Sequence, residues 1–122
     1  MKETPILKRI MIRCSRDIAR LFRNNVGQYR DKAGNWIRYG LGNPGGSDLI
    51  GWRQVIITPE HIGMTIAQFL AIEVKQPNKE ATDDQAKFGR MIINAGGIFG
   101  VAHSPEEAEA IIRGVDNIEY IE

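Results

Sequence analysis

Apolar positions recur at helical spacing from the start of the chain. Ile6, Leu7, Ile10, Met11, Cys14, Ile18 and Leu21 form one stripe, which predicts a helix with Thr4 as its cap and Pro5 at its first position. Arg9, Arg13, Arg16 and Arg20 recur at intervals of four, three and four, so on such a helix they share a second face. Phe22 begins an extended stretch, and Val26-Gly27 interrupts it. Gln28-Tyr29-Arg30 and Trp36-Ile37-Arg38-Tyr39 then flank Asp31–Asn35, the pattern of a β-hairpin with a five-residue loop. Alternation places Trp36 and Arg38 on one face of that ribbon, Ile37 and Tyr39 on the other.

Gly40 to Gly46 holds four glycines and a proline, a sharp turn. It lacks the Gly-Lys-Ser/Thr ending of a phosphate-cradling loop, which removes nucleotide binding from consideration. Asp48 to Gln54 reads as the first strand of a core sheet. Thr58 to Met64 is an excursion with a helical turn at Pro59-Glu60-His61, and Thr65 to Lys75 reads as a long second strand. Gln76 to Ala81 is a polar loop. Thr82 caps a helix over Asp83–Asn94 that Gly96-Gly97 stops. Ile98 to Ala102 is a third strand, and Ser104-Pro105-Glu106-Glu107 starts a final helix through Ala108–Arg113, its acids complementing the dipole. Strand, crossover helix and strand over Thr65–Ala102 make a βαβ unit with parallel pairing. The expected fold is α/β, a small mixed-sheet sandwich with a β-hairpin arm.

Length changes that picture little: 122 residues fit one domain, expected over 1–122. Neither a membrane span nor a signal core is expected, because the apolar runs are too short. Cys14 is the only cysteine; it reads as a small core residue of a reduced, cytosolic protein, and no zinc site is in prospect. Charge is more telling. Residues 1–40 hold ten Lys/Arg against three Asp/Glu, a balance of +7, and the other 82 hold six against twelve, a balance of −6. A basic half can contact phosphates while an acidic half supplies a cation site. A solvated surface segregated by chance gives the same numbers. The arginine row carries the same two readings.

The acids that matter are Asp48, at the head of an apolar strand, and Glu73, twenty-five residues later. Glu73 and Lys75 project on one side of their strand with Val74 opposite. Charges at the end of an apolar strand are costly unless paired or ligating a metal. Two carboxylates, with the Val74 carbonyl as a third donor, suit a hard cation such as Mg²⁺ (or Mn²⁺), which keeps several waters. Such a cation polarises a phosphate and acidifies water, and Lys75 could orient that water or neutralise charge on phosphorus. The chemistry is that of a metal-dependent nuclease. The plainer alternative is a solvated Glu–Lys pair beside an unrelated aspartate. Asn24 and Asn25, with Arg23, suit phosphate contact or support of the site, and turn chemistry explains the asparagines equally well. His61 and His103 read as solvated loop or strand-end residues.

Asp48 followed by Glu73-Val74-Lys75 resembles the core of the PD-(D/E)xK nuclease superfamily. Leu21–Gly27, Gly46–Gly51, Ala71–Lys75, Gln85 and Ala95-Gly96-Gly97, in this order, resemble the VRR-NUC family, the virus-type replication and repair nucleases, in its stand-alone phage-like form. The similarity runs from about Ile6 to Ile112. The resemblance implies a restriction-endonuclease-like fold and a divalent-metal-dependent, structure-specific DNA endonuclease that leaves a 5′-phosphate. Asp48, Glu73, Lys75 and Gln85 would be its catalytic residues, with Gln85 positioning the lysine or the nucleophile. Many relatives place a further acid on the first helix; Glu3 stands nearest, but Pro5 puts it before the expected helix. Related enzymes look like homodimers acting on four-way junctions, which implies branched DNA as partner, contacted here through Arg9, Arg13, Arg16, Arg20, Arg23, Arg30 and Arg38. The implied location is the cytoplasm of a bacterium or a phage-infected host. The competing class is a catalytically inactive nucleic-acid-binding or assembly module on the same fold.

Overall fold

A computed structural model describes residues 3–114, and of Glu3 the backbone alone. The outermost residues of the expected single domain, 1–2 and 115–122, lie outside the described ones. The described chain falls into two compact units, one up to Ile56 and the other from Ile57. It is mixed α/β, with three α-helices and three two-stranded sheets.

The first unit opens with α1 (Glu3–Cys14), which packs on β1 (Ala19–Arg23) and buries Leu7. β1 pairs antiparallel with β4 (Leu49–Arg53), Leu21 opposite Gly51 and Arg23 opposite Leu49. A side chain at Gly51 would run into the Arg20 carbonyl, so only glycine lets the two backbones approach here. Between them lies the hairpin of β2 (Gly27–Arg30) and β3 (Trp36–Tyr39), in the register Arg30↔Trp36 and Gln28↔Arg38. The Asp31 carboxylate ties its loop by accepting from the Ala33 and Asn35 amides.

Several expectations for this unit are corrected. The helix stops at Cys14, not Leu21, because the chain turns there to reach a strand partner. The Leu21 amide donates to the Ser15 hydroxyl, Gln54 N–H donates to the Ile18 carbonyl, and pairing with β4 outweighs the helical stripe. Arg16 therefore sits in the turn and Arg20 on β1, so the four arginines do not form one helical row. Cys14, at the helix end, is exposed rather than a core residue. Thr4 does not cap, since α1 already includes Glu3, which lies within the helix instead of before it.

The second unit begins with a 3₁₀ turn at Pro59–His61, as the sequence predicts. β5 (Leu70–Val74) and β6 (Ile98–Ala102) pair in parallel, Glu73 opposite Val101, across α2 (Asp83–Asn94). α3 (Pro105–Arg113) follows, with Ser104 accepting from the Glu107 amide as its cap. Adjacent residues of β6 face opposite ways. Gly89 of α2 lies against the Phe99 ring, while Gly100 lies against Ile111 of α3, so the two helices cover the two faces of the strand. Ile92 and Ala102 are the buried centre of this unit. The long second strand predicted over Thr65–Lys75 is shorter than expected. Its ladder starts where Ile98 N–H meets the Phe69 carbonyl, and β6 offers only five residues to pair with. Residues 62–68 lie outside the ladder, with Ile62, Met64 and Ile66 exposed.

Candidate active site

Within the second unit, three predicted residues meet. Glu73 is the penultimate residue of β5, and Lys75 extends that strand by donating its amide to the Ala102 carbonyl. The Lys75 ammonium lies 3.9 Å from Glu73 Oε1. Gln85 comes from the first turn of α2 and serves two neighbours with one side chain. Its Oε1 accepts from the Thr82 amide at 2.9 Å, completing a capping box, and its Nε2 donates to Glu73 Oε1 at 2.8 Å. Thr82 Oγ1 accepts the Gln85 amide in return.

Glu73 Oε1 is thus held from two sides, while Oε2 has no hydrogen-bond partner among the described residues. The side chains of Lys75 and Glu73 are 21% and 30% exposed. An ion pair this open and this long contributes about 0–1 kcal/mol to stability, so stability does not explain a charged cluster at a strand end. A half-exposed carboxylate with one oxygen fixed and one free, next to a lysine, does suit a hard cation or a phosphate. The neighbouring Val74 has an exposed side chain, and its carbonyl adds a donor of the same oxygen type. Among the described residues no three His, Cys, Asp or Glu side chains cluster to hold a metal ion.

Asp48 belongs to the first unit. It is exposed and immediately precedes β4, and its carbonyl accepts the Asn24 amide at 2.8 Å. The Asn24 carboxamide donates to the Leu41 and Ser47 carbonyls at 2.8 and 3.0 Å and accepts the Leu41 amide at 2.9 Å. Of the readings for Asn24, the structure favours a supporting turn role over phosphate contact, because backbone groups of Leu41 and Ser47 take its carboxamide. Asn43 adds a second clamp, donating to the Gly27 and Tyr39 carbonyls. A cleft beside Asp48 is lined by Thr4, Arg23, Asn25 and Tyr39.

The arginines singled out in the sequence all lie in the first unit. Arg9 and Arg13 are exposed on α1, Arg16 lies in the turn, and the Arg20 guanidinium sits 5.5 Å from the Phe22 ring centre. Arg30 stacks 4.8 Å over Trp36, which is 57% exposed, and Arg38 shares that ribbon face.

His103, read from the sequence as a solvated strand-end residue, does follow β6 directly, and its ring is engaged on both sides. Its ring nitrogens face Glu107 Oε2 at 2.8 Å and the Lys79 carbonyl at 2.7 Å. The Lys79 carbonyl first, then Glu107, raise its pKa above the usual histidine value. The bonds from His103 hold the Glu107 carboxyl below its own usual value. A usable signal was present: a carboxylate four residues on, in the first turn of a capped helix. His61, by contrast, caps its own 3₁₀ turn by accepting the Thr58 amide.

The chain is α/β, and one strand end brings a carboxylate, a lysine and a helix-borne glutamine together. The chain belongs to the VRR-NUC family: the VRR-NUC domain model matches residues 7–106, which spans both compact units. This is a nuclease domain, with DNA as the substrate of its class. No curated protein and no solved structure gives a significant match. Among the described residues no helix is long and apolar enough to cross a membrane.

Proposed function

We propose that the chain is a divalent-metal-dependent, structure-specific DNA endonuclease that hydrolyses phosphodiesters of branched DNA such as four-way junctions, acting as a homodimer in the cytoplasm. The observation that carries this reading is Glu73 Oε1 held between the Gln85 carboxamide and the Lys75 ammonium, inside a chain of the VRR-NUC family. Glu73, the Val74 carbonyl and Asp48 would hold Mg²⁺ or Mn²⁺. Asp48 joins that set on residue type and on the extent of the family match. When bound, the cation supplies Lewis acidity toward the phosphoryl oxygens and the attacking water.

The chain's own residues do the rest. Gln85 fixes the rotamer of Glu73, which leaves Oε2 directed to its task. Lys75 places a positive charge where the pentavalent phosphorus gains negative charge, a term that acts on the transition state more than on the ground state. The first unit supplies phosphate contacts. On the β2–β3 ribbon, Arg30, Arg38 and Trp36 give one exposed face two guanidinium groups and an aromatic surface, dimensions that suit a groove or a backbone. Arg9, Arg13, Arg16, Arg20 and Arg23 add charge from α1, the turn and β1.

A cleavage panel (junction, flap, nicked, single-stranded and linear DNA) run with Mg²⁺, with Mn²⁺ and with chelator tests the reading, beside light scattering. Cutting that needs the metal and favours the junction, from a particle of dimer mass, is the expected result. Equal cutting of all five by a monomer removes the junction and dimer claims. No cutting under any condition leaves the inactive nucleic-acid-binding module.

A further inference from the structure

His103 stands where three elements come together: the end of β6, the first turn of α3, and the Gln76–Ala81 loop. Its backbone N–H donates to Glu107 Oε2 at 2.8 Å; its Nδ1 lies 2.8 Å from the same oxygen, and its Nε2 lies 2.7 Å from the Lys79 carbonyl oxygen. A carbonyl oxygen has no proton to give, and neither does an ionised carboxylate. A neutral imidazole has one N–H and one bare lone pair. In this geometry it would set that lone pair against an oxygen at one end or the other. Only the imidazolium, with both nitrogens donating, satisfies both contacts.

The charges around the ring balance unevenly. Glu107 on α3 and Glu80 on the loop favour the cation, while the Lys79 ammonium and the positive N-terminal end of α3 oppose it. The two short hydrogen bonds decide in favour of the cation. So exposed a pair adds little to global stability. Its importance comes from what the contact holds. Lys79 lies in a turn closed by its own amide on the Gln76 carbonyl at 3.1 Å, with Asn78 in the left-handed region at φ 67°. One end of this loop is Lys75 and the other is Thr82. Those ends carry the two groups that grip Glu73: the lysine ammonium, and Gln85 through its cap on Thr82.

We propose that the His103 imidazolium is a positioning residue: by holding the Lys79 carbonyl it pins the Gln76–Ala81 loop, and so sets Lys75 and the Thr82–Gln85 cap against Glu73. The catalytic consequence rests on the nuclease reading, whereas the charge state of the ring does not. The contact is fully made at pH values below the ordinary histidine range. It is lost as pH rises through the raised pKa of the folded protein. The pH–rate profile should therefore carry an alkaline limb that belongs to His103.

The test uses the full chain. Nitrogen-15 NMR of the His103 ring over a pH series should show both nitrogens protonated at neutral pH, and a single neutral tautomer there would overturn the proposal without any variant. Glu107→Gln keeps an oxygen for the two donors but removes the charge. In that variant the ring titration and the alkaline limb should move down together, and a limb that stays put while the titration moves overturns the positioning role. His103→Gln, whose two N–H donors sit on one nitrogen and cannot span acceptors on opposite sides of a ring, should lower kcat about tenfold with KM within twofold, because small misplacements cost rate more than binding. An unchanged kcat at neutral pH also overturns it. If the wild-type protein cuts no DNA, the nuclease reading fails on its own. Exchange protection of the Gln85 carboxamide across the His103 titration then decides: protection lost with the proton supports the pin, and constant protection overturns it.

Discussion

The Gln85 carboxamide joins a helix start to a strand end: its oxygen caps the Thr82 amide, and its nitrogen, 2.8 Å from Glu73 Oε1, fixes the carboxylate. One side chain thus serves both a helix cap and a strand-end carboxylate. The two tasks can be separated by choice of replacement. Gln85→Glu keeps an oxygen for Thr82 and sets a second anion against Glu73, whereas Gln85→Ala removes both contacts. Gln85→Ala keeps the Thr82 Oγ1 cap on its backbone N–H but should cost about 1 kcal/mol of stability through the lost bond to the Thr82 amide and should lower kcat. Gln85→Glu should keep the melting temperature within a few degrees yet lose activity equally. Thermal unfolding beside cleavage kinetics checks the pair; full activity in the glutamate variant would remove Gln85 from the site.

Lys75 lies 3.9 Å from Glu73 Oε1, an ion pair too long to be a hydrogen bond. Lys75→Ala should lower single-turnover cleavage by about 10²–10³-fold, the usual cost of removing one donor to developing charge. DNA affinity, measured by fluorescence anisotropy, should change less than threefold, in line with the small contribution of one exposed charge. A loss of affinity matching the loss of rate would make Lys75 a binding residue.

Metal binding is open to direct titration. Asp48→Asn combined with Glu73→Gln should abolish the Mn²⁺ heat seen by calorimetry with the wild-type protein, because uncharged amides are poor ligands for hard cations. Each single variant should weaken binding in part. Heats unchanged in the double variant would place the cation elsewhere.

The ribbon face makes a prediction in salt. Replacing Arg30 and Arg38 by alanine should weaken DNA binding across all sequences and reduce the slope of log affinity against log salt by about two, one for each lost phosphate contact. Trp36→Ala should weaken binding while leaving the slope in place, since an aromatic ring releases no counterion. A double-arginine variant with the wild-type slope would direct attention to Arg13, Arg16 and Arg20 instead.

Legibility in the sequence followed how local the signal was. The hairpin, the Thr82-capped α2, β6 and the Ser104-capped α3 all stand where their turn and capping residues place them, because those residues act on their immediate neighbours. The end of α1 and the extent of β5 were decided by pairing partners far along the chain: β4 drew Ala19–Arg23 out of a helical stripe, and β6 was too short to pair Thr65–Gln68. The triplet Glu73-Val74-Lys75 and Gln85 were legible through the family's ordered motifs, and their contact follows from β5 leading into a capped helix. His103 was not legible by type alone. What sets it apart is a carbonyl from Lys79, twenty-four residues earlier, which only the folded loop delivers.

Asn24 carries a consequence for how this chain can vary. Its carboxamide grips both Leu41 and Ser47, and its own amide takes the Asp48 carbonyl. The segment between those grips is therefore measured off like a bracket of set width, however many glycines it contains. Length there is information. An inserted residue would have nowhere to go without releasing one jaw and shifting Asp48 along its strand, and a deletion would draw the jaws together. Among the described residues the hairpin tip at Lys32–Gly34 is fastened to Asp31 within its own loop, and it has room to grow or shrink. Variation among descendants of this chain should accumulate at the tip and spare the bracket, with the count of residues from Leu41 to Asp48 kept even where their identities drift.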